Sequence, residues 1–284
     1  MIDRNATLTE MTDIASVLVV LDGSGGRRTG VRLAAAATRR LGAGLHAVYI
    51  ETWRSSLATD RRPGEGESSP PAEDAEEAAR QAAEDAGVAL EWEIVAGDRS
   101  GITRAVIDRA LTADLIVVDR GMPSETGGKW AVDLFAQLPL LSGRPTLFVP
   151  ARHQSASFGQ RVMVAWNASR ESSRAVNDAL PFLESASDVT VLNVETTKDG
   201  RPAETGSEPR LASYLSHHGI RVRLCKSYVA GAGVGETIAS RARESETDLL
   251  VMGAHGYGRP GHVVLGAATR YLLDHLPVPV LMSH

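Results

Sequence analysis

Three glycines near the end of the chain have a spacing suited to phosphate binding. Gly253 and Gly256 follow a fully apolar predicted strand, and Gly266 begins the last predicted helix after nine intervening residues. Glycine lets the backbone approach a ligand closely, and the unpaired N–H groups of a helix N-terminus attract anions. The pattern therefore predicts a phosphate cradle. His255 either touches phosphate there or faces solvent, and Arg259 either neutralises a terminal phosphate or stays on the surface.

This loop belongs to the second copy of an internal repeat. Residues 97–150 and 231–284 align without a gap, so that Asp114, for example, matches Asp248. The first copy lacks the loop glycines, and the residues at their three positions are Asp119, Met122 and Val132. Bulky side chains there would prevent close backbone approach. The repeat therefore predicts a duplicated fold in which one half is specialised.

Length and repeat together predict two domains, at residues 13–150 and 161–284, joined by a short polar linker at 151–160. The segment from Thr52 to Pro71 is rich in Arg, Gly, Ser, Pro and Glu, which is typical of a mobile surface loop. It accounts for most of the length difference between the halves.

The elements that must position the loop alternate along each half. Apolar and alternating segments predict strands at 17–21, 45–50, 88–94, 115–118 and 146–149, and again at 162–166, 189–194, 220–224, 249–252 and 280–282. Ser169 is expected to cap the helix after the first strand of the second half, and Gly87 and Gly219 to end helices. Helices between successive strands imply right-handed parallel crossovers. We therefore expect an α/β protein of two tandem doubly wound domains, each a five-stranded parallel sheet with helices on both faces.

Composition excludes several classes of partner. A formal net charge of -5 lacks the basic excess of a nucleic-acid binder, and apolar runs are too short to span a membrane. The polar N-terminal residues do not resemble a signal peptide, which predicts a cytoplasmic location. Cys225 is the sole cysteine, so it forms no internal disulfide and is expected to be a packed or edge thiol.

The chain resembles a tandem member of the universal stress protein family. That family's nucleotide-binding signature is glycine, two residues, glycine, nine residues, glycine and a small hydroxyl residue, and the second half has this glycine spacing. The family's aspartate and serine after strand one are present in the first half as Asp22 and Ser24. The resemblance runs from Val17 to His284. It implies Rossmann-like domains of strand order 3-2-1-4-5, adenine-nucleotide binding in many members, and dimerisation through the last strand.

Two departures from the family pattern fall in the half that keeps the glycines. Asn167 replaces the acid after strand one, and Ala267 replaces the hydroxyl residue after Gly266, although Thr269 lies two positions further on. Losing one neutral hydrogen bond costs about 0.5–1.5 kcal/mol. The departures therefore predict weaker nucleotide binding rather than its loss.

We thus expect an adenine nucleotide, ATP first and with or without Mg²⁺, to bind the second half at Asn167, Ser169, Val194, Gly253, His255, Gly256, Arg259, Gly266, Ala267 and Thr269. The first-half pocket at Asp22 and Ser24 is expected to be empty or to bind something else. No nucleophile, base and orienting group converge, and no set of metal ligands is found, so a sensor with at most slow ATP hydrolysis and an unidentified protein partner is predicted.

The last strands are expected to pair, either between two chains as a homodimer or within the chain as a pseudo-dimer. The alternative function is a nucleotide-independent interaction and dimerisation module that keeps the loop for folding.

Overall fold

A computed structural model describes residues 14–22, 29–52, 70–120, 128–150, 153, 155, 158–195, 207–229, 233–259 and 262–284. Ser24, Met122, most of the predicted loop from Thr52 to Pro71, and much of the predicted linker lie outside these residues. The side chains of Val132 and Arg259 also lie outside the description.

Each half alternates strands and helices. The first half contains β1 (Ser16–Asp22), α1 (Thr29–Leu41), β2 (Gly44–Thr52), α2 (Pro70–Ala86), β3 (Leu90–Gly97), α3 (Arg99–Ala110), β4 (Leu115–Arg120), α4 (Gly128–Ser142) and β5 (Thr146–Pro150). The second contains β6 (Arg161–Ala165), α5 (Arg170–Asp178), α6 (Leu180–Leu183), β7 (Asp188–Glu195), α7 (Glu208–His217), β8 (Val222–Tyr228), α8 (Val234–Glu244), β9 (Leu249–Gly253), β10 (Gly256–Arg259), β11 (His262–Leu265), α9 (Ala267–Asp274) and β12 (Val280–Ser283).

The sheet order confirms the predicted fold class and corrects one part of it. Within each half the strands follow the order 3-2-1-4-5, as β3-β2-β1-β4-β5 and β8-β7-β6-β9-β12. The two sheets are not separate, however, because β5 and β12 pair antiparallel and make one ten-stranded sheet. The predicted loop after Gly256 is also different, since β10 and β11 form a two-stranded hairpin there. The last strands thus pair within the chain, as in the pseudo-dimer alternative.

Both faces of this sheet are buried. Alternate residues of β1 divide between two core clusters, with Val17 and Val19 on one face and Leu18 and Val20 on the other. Each cluster continues across the junction of the halves: Leu147 and Leu281 lie in the first, Phe148 and Val280 in the second. Strand alternation and helix stripes therefore build two continuous apolar layers rather than two separate cores.

In both halves an aspartate of the repeat forms hydrogen bonds to the backbone at the start of the first strand. The Asp114 carboxylate accepts hydrogen bonds from the N–H groups of Ala15 and Ser16, at 3.0 and 3.1 Å. Asp248 does the same before β6, accepting from Gly159, Gln160 and Arg161 at 2.9 to 3.0 Å. This shared role explains why the two aspartates occupy one position in the repeat.

Local signals set the ends of several helices. Ser169 caps α5 by accepting from the Ser172 N–H, as predicted. Gly87 and Gly219, which follow α2 and α7, have left-handed φ angles of 67° and 74°, and glycine adopts this conformation without strain. No helix in the described ranges is both long and apolar enough to cross a membrane.

Candidate functional site

The candidate site lies at the carboxyl ends of β6, β7 and β9. β6 lies between β7 and β9 in the sheet. The helices that follow β6 and β9 pack on opposite faces, since α5 contributes to one core cluster and α9 to the other. This divergence is the switch point at which open α/β sheets bind ligands. The fold therefore brings the predicted residues after β6 and β9 to the same edge.

The turn after β6 uses its polar side chains partly for its own geometry. The Asn167 Oδ1 atom accepts the Ser169 N–H at 3.1 Å, and the Ser169 hydroxyl accepts the Ser172 N–H at 3.1 Å. Ala168 between them has a φ of 59°, a left-handed conformation that is unusual for alanine. The Asn167 amide nitrogen has no hydrogen-bond partner among the described residues and is available to a ligand.

Two of the three loop glycines lie in close contact with other parts of the protein. A Cβ on Gly253 would lie 2.6 Å from backbone atoms of Glu171 and Ser172, where α5 begins. A Cβ on Gly256 would lie 2.5 Å from the Leu140 side chain in α4 of the other half. These glycines therefore let elements of the protein approach each other, which is a role distinct from the predicted approach of a ligand.

Replacing Gly253 by alanine should consequently destabilise the fold by about 1–3 kcal/mol, because the added methyl overlaps the α5 backbone. Urea unfolding measures this free energy. Gly97→Ala is the matched control, since its Cβ would meet nothing closer than 3.8 Å. If the two variants are equally stable, the packing role assigned to Gly253 is wrong.

The start of α9 offers the anion-binding geometry that the loop predicts. Gly266 is the N-cap residue, and it has no side chain to satisfy the first N–H groups of the helix. Its own N–H donates to the His255 carbonyl at 2.9 Å, which holds the hairpin against the helix. Neither Ala267 nor Ala268 donates its N–H to any described residue, so both groups remain for a ligand.

Thr269 and His255 have different surroundings. The Thr269 side chain is buried, and its hydroxyl oxygen accepts the His255 N–H at 3.2 Å, so it secures the loop. The His255 side chain is exposed beside it. Val194, near the end of β7, is half-buried and packs against the core on the α8 and α9 face.

One acidic side chain of the site was missed by sequence reasoning. Glu171 lies in the first turn of α5, against Gly253, and its side chain is 14% exposed. A hydrogen bond from its own backbone N–H lowers its pKa, burial opposes this, and Ser169, Arg170 and His255 lower it further. The carboxylate is therefore ionised at neutral pH and disfavours phosphate nearby. Its place in the turn after Ser169 was the available signal.

The first half places a carboxylate at the equivalent point. Asp119, which aligns with Gly253, accepts the Gly30 N–H at 3.0 Å at the start of α1. Burial raises the pKa of Asp119 to about 6, the Gly30 hydrogen bond opposes this, and the Asp22 charge adds to it. Two acids at the ends of β1 and β4 oppose phosphate binding there. The sequence signal for this second carboxylate was an aspartate at the position where the other copy has glycine.

Trp166 and Cys225 have positions that suit structural roles. Trp166 directly follows β6, is half-buried, and donates its indole N–H to the Ser207 hydroxyl at 2.9 Å. Cys225 lies in β8 at the sheet edge and is half-buried. Within the described ranges, no three His, Cys, Asp or Glu residues are grouped closely enough to hold a metal ion.

Comparison with known proteins identifies related chains. A family model described as the universal stress protein family matches residues 14–122 and 159–284. A universal stress protein of Archaeoglobus fulgidus is structurally similar over 94% of this chain and 97% of its own, with 17% identity and a TM-score of 0.67. A search of curated proteins found no match.

Two more solved structures are similar. A Pseudomonas aeruginosa protein described as a universal stress protein covers 96% of this chain and 94% of its own, at 15% identity and a TM-score of 0.61. A universal stress protein in complex with cAMP matches 50% of this chain and 99% of its own, at 23% identity and a TM-score of 0.34. At identities this low, the Archaeoglobus fulgidus and Pseudomonas aeruginosa structures establish a shared fold only. Because the family model matches both halves, the chain belongs to the universal stress protein family.

Proposed function

We propose that this universal stress protein binds an adenine nucleotide, ATP first, at the carboxyl ends of β6, β7 and β9. The protein would act as a nucleotide sensor in the cytoplasm and would hydrolyse ATP slowly at most. Occupancy would be transmitted to assembly or to a protein partner. Mg²⁺ would accompany the phosphates as a component of the ligand rather than as a resident metal.

The start of α9 is the observation that carries this proposal. Its uncapped N–H groups at Ala267 and Ala268 follow a glycine N-cap at the switch point of the sheet. A phosphate there would receive backbone hydrogen bonds and the favourable end of the helix dipole. The amide nitrogen of Asn167 and the exposed ring of His255 are polar groups at the same edge.

The same site also contains groups that weaken nucleotide binding. Asn167 carries no charge, Ala267 has no hydroxyl, and Glu171 adds a negative charge beside Gly253. We therefore expect an affinity for ATP in the micromolar to millimolar range rather than a tightly held nucleotide.

The second candidate is a nucleotide-independent interaction module. It is favoured by the contacts of Gly253 and Gly256, because a need for close packing would preserve those glycines without any ligand. The two functions differ in one measurable property, which is whether ATP binds to the second half.

Calorimetry with ATP, ADP and AMP tests the proposal on the whole chain. Ala267→Ser restores the family's hydroxyl residue at the first position of α9 and should tighten ATP binding about threefold to tenfold, the value of one hydrogen bond. Ala89→Ser is the matched control, because Ala89 is exposed and lies in the other half. Glycine variants are unsuitable, since they would change the packing of the loop.

Glu171→Gln tests the same site by charge. Two unit charges about 4 Å apart in water interact by about 1 kcal/mol, so removing one should tighten ATP binding about fivefold at low salt. This gain should shrink as the salt concentration rises. If the wild type, Ala267→Ser and Glu171→Gln all fail to bind millimolar ATP, the nucleotide proposal is wrong and the interaction module is favoured.

A further inference from the structure

We propose that a cavity on the first half binds an amphipathic anion, meaning a phosphate or carboxylate carried on an apolar body. The cavity has a volume of about 520 Å³ and lies between α1, α2 and the segment before β6. Its residues Arg39 and Arg40 are close to the end of α1, so it opens at the amino ends of the strands, opposite the nucleotide site. This inference does not depend on nucleotide binding.

Arg40 forms a fixed wall of this cavity. Its guanidinium donates to the Phe158 carbonyl at 3.0 Å and the Phe182 carbonyl at 3.4 Å, and also to the Ser185 hydroxyl. It lies 5.6 Å from the centre of the Phe182 ring. Arg40 therefore joins the halves, and its position does not depend on a ligand.

The other two arginines of the cavity have no such commitments. Arg32 and Arg39 are seven residues apart on one face of α1 and are exposed. Neither guanidinium group forms a hydrogen bond or an ion pair with any residue that the structure describes. The carboxylate in the cavity wall, Asp85, accepts instead from the Gln81 side chain at 2.9 Å. Positive charge thus exceeds negative charge around the cavity.

Apart from Gln160, the remaining lining residues are apolar. Ala36, Ala82 and Ala86 line the cavity from the two helices, and Phe158 lines it from the segment before β6. Phe158 is buried and stacks obliquely on Phe182 at 5.5 Å. A volume of this size, with an apolar lining and a few charged groups, is typical of small-molecule sites.

The second half has different and mostly larger side chains at the equivalent place. The alignment that matches Val17 with Val162 places Asn177 and Glu184 at the positions of Arg32 and Arg39. The alignment of Gly87 with Gly219 likewise places Tyr214 and His218 at the positions of Ala82 and Ala86.

These second-half residues pair with one another, one pair through a hydrogen bond and the other at a longer distance. The Tyr214 hydroxyl donates to Asn177 at 2.8 Å, and the His218 ring lies 3.8 Å from the Glu184 carboxylate. The first half has alanine in place of both rings and arginine in place of both partners. The fold therefore does not require either the cavity or its charges, and an arginine fork suits an oxyanion.

Calorimetry on the full chain with decyl phosphate tests the proposal. Inorganic phosphate supplies the anion alone and decanol the apolar body alone, and each is expected to bind at least tenfold more weakly than decyl phosphate. This comparison separates a free phosphate from an amphipathic one. Arg32→Glu with Arg39→Glu should weaken decyl phosphate binding tenfold or more, because it reverses both unpaired charges. Equal binding of decanol and decyl phosphate would overturn the proposal.

Three further variants control for charge and folding. Arg104→Glu with Arg243→Glu changes the net charge equally at exposed positions of α3 and α8 and should leave binding unchanged. Arg32→Asn with Ala82→Tyr transfers the pair of the second half, fills the cavity and should abolish binding. Asp85→Asn should strengthen binding severalfold, a gain that misfolding does not produce.

If reversing Arg32 and Arg39 affects binding no more than the α3 and α8 control does, the proposal is wrong. ATP binding should be unchanged in all of these variants.

Discussion

At pH 8, the Asp119→Asn variant is expected to be more stable than the wild type by up to about 3 kcal/mol of unfolding free energy. Burial raises the pKa of Asp119 from 3.8 to about 6, against the hydrogen bond from Gly30 and with the charge of Asp22. Folding at pH 8 therefore places a carboxylate where the protonated form is preferred. Asparagine removes that charge and keeps an oxygen that accepts the Gly30 N–H.

The sign of the pH dependence follows from the direction of this shift. Between pH 3.8 and about 6 the folded state binds more protons at Asp119 than the unfolded state does. The contribution of this group to stability therefore decreases as the pH rises through that interval, and the variant lacks the decrease. The two proteins should be equally stable near pH 3.5 and differ most above pH 7.

Urea unfolding at pH 3.5, 5, 6 and 8 measures this difference. Asp133→Asn is the control, because Asp133 is an exposed acid of α4 in the same half. An Asp119→Asn variant that is no more stable than the wild type at pH 8 would contradict the prediction. So would a stability gain of the same size at every pH.

Phe148→Ala should lower the free energy of unfolding by about 3–5 kcal/mol, the usual cost of removing a buried aromatic side chain. Phe148 is fully buried in β5 and pairs in register with Val280 of β12. Because the core is continuous across these strands, we expect both halves to lose stability together, in one cooperative transition.

A double-mutant cycle with Val280→Ala locates this effect at the junction. The two changes should be coupled by about 0.5 kcal/mol or more, because they affect neighbouring side chains. Val48→Ala is the control: Val48 lies in the same core cluster but on β2, and its effect should add to that of Phe148→Ala. Additive effects of Phe148→Ala and Val280→Ala, or separate unfolding of the halves, would contradict the shared sheet.

Sequence patterns predicted the parts of the site that depend on neighbours along the chain. Ser169 caps α5 because a serine before a helix accepts N–H groups two or three residues later. Gly266 leaves the start of α9 uncapped because glycine has no side chain that could accept those N–H groups. The strand order within each half came from the family resemblance, since many orders satisfy the same pattern of strands and helices. The boundaries at residues 13–150 and 161–284 remain a prediction.

Local sequence patterns were enough to predict a duplicated α/β chain with its helix ends, its two covered sheet faces and one glycine-rich half. These features follow from periodicity and from residues that act on adjacent backbone. The folded structure was needed to show that β5 pairs with β12, that Gly253 packs against α5, and that Asp119 and Glu171 bring carboxylates to the two switch points. It also reveals a cavity beside Arg32 in one half and a hydrogen-bonded pair, Tyr214 and Asn177, at the equivalent place in the other. Such contacts join residues far apart in the chain, so no local pattern specifies them.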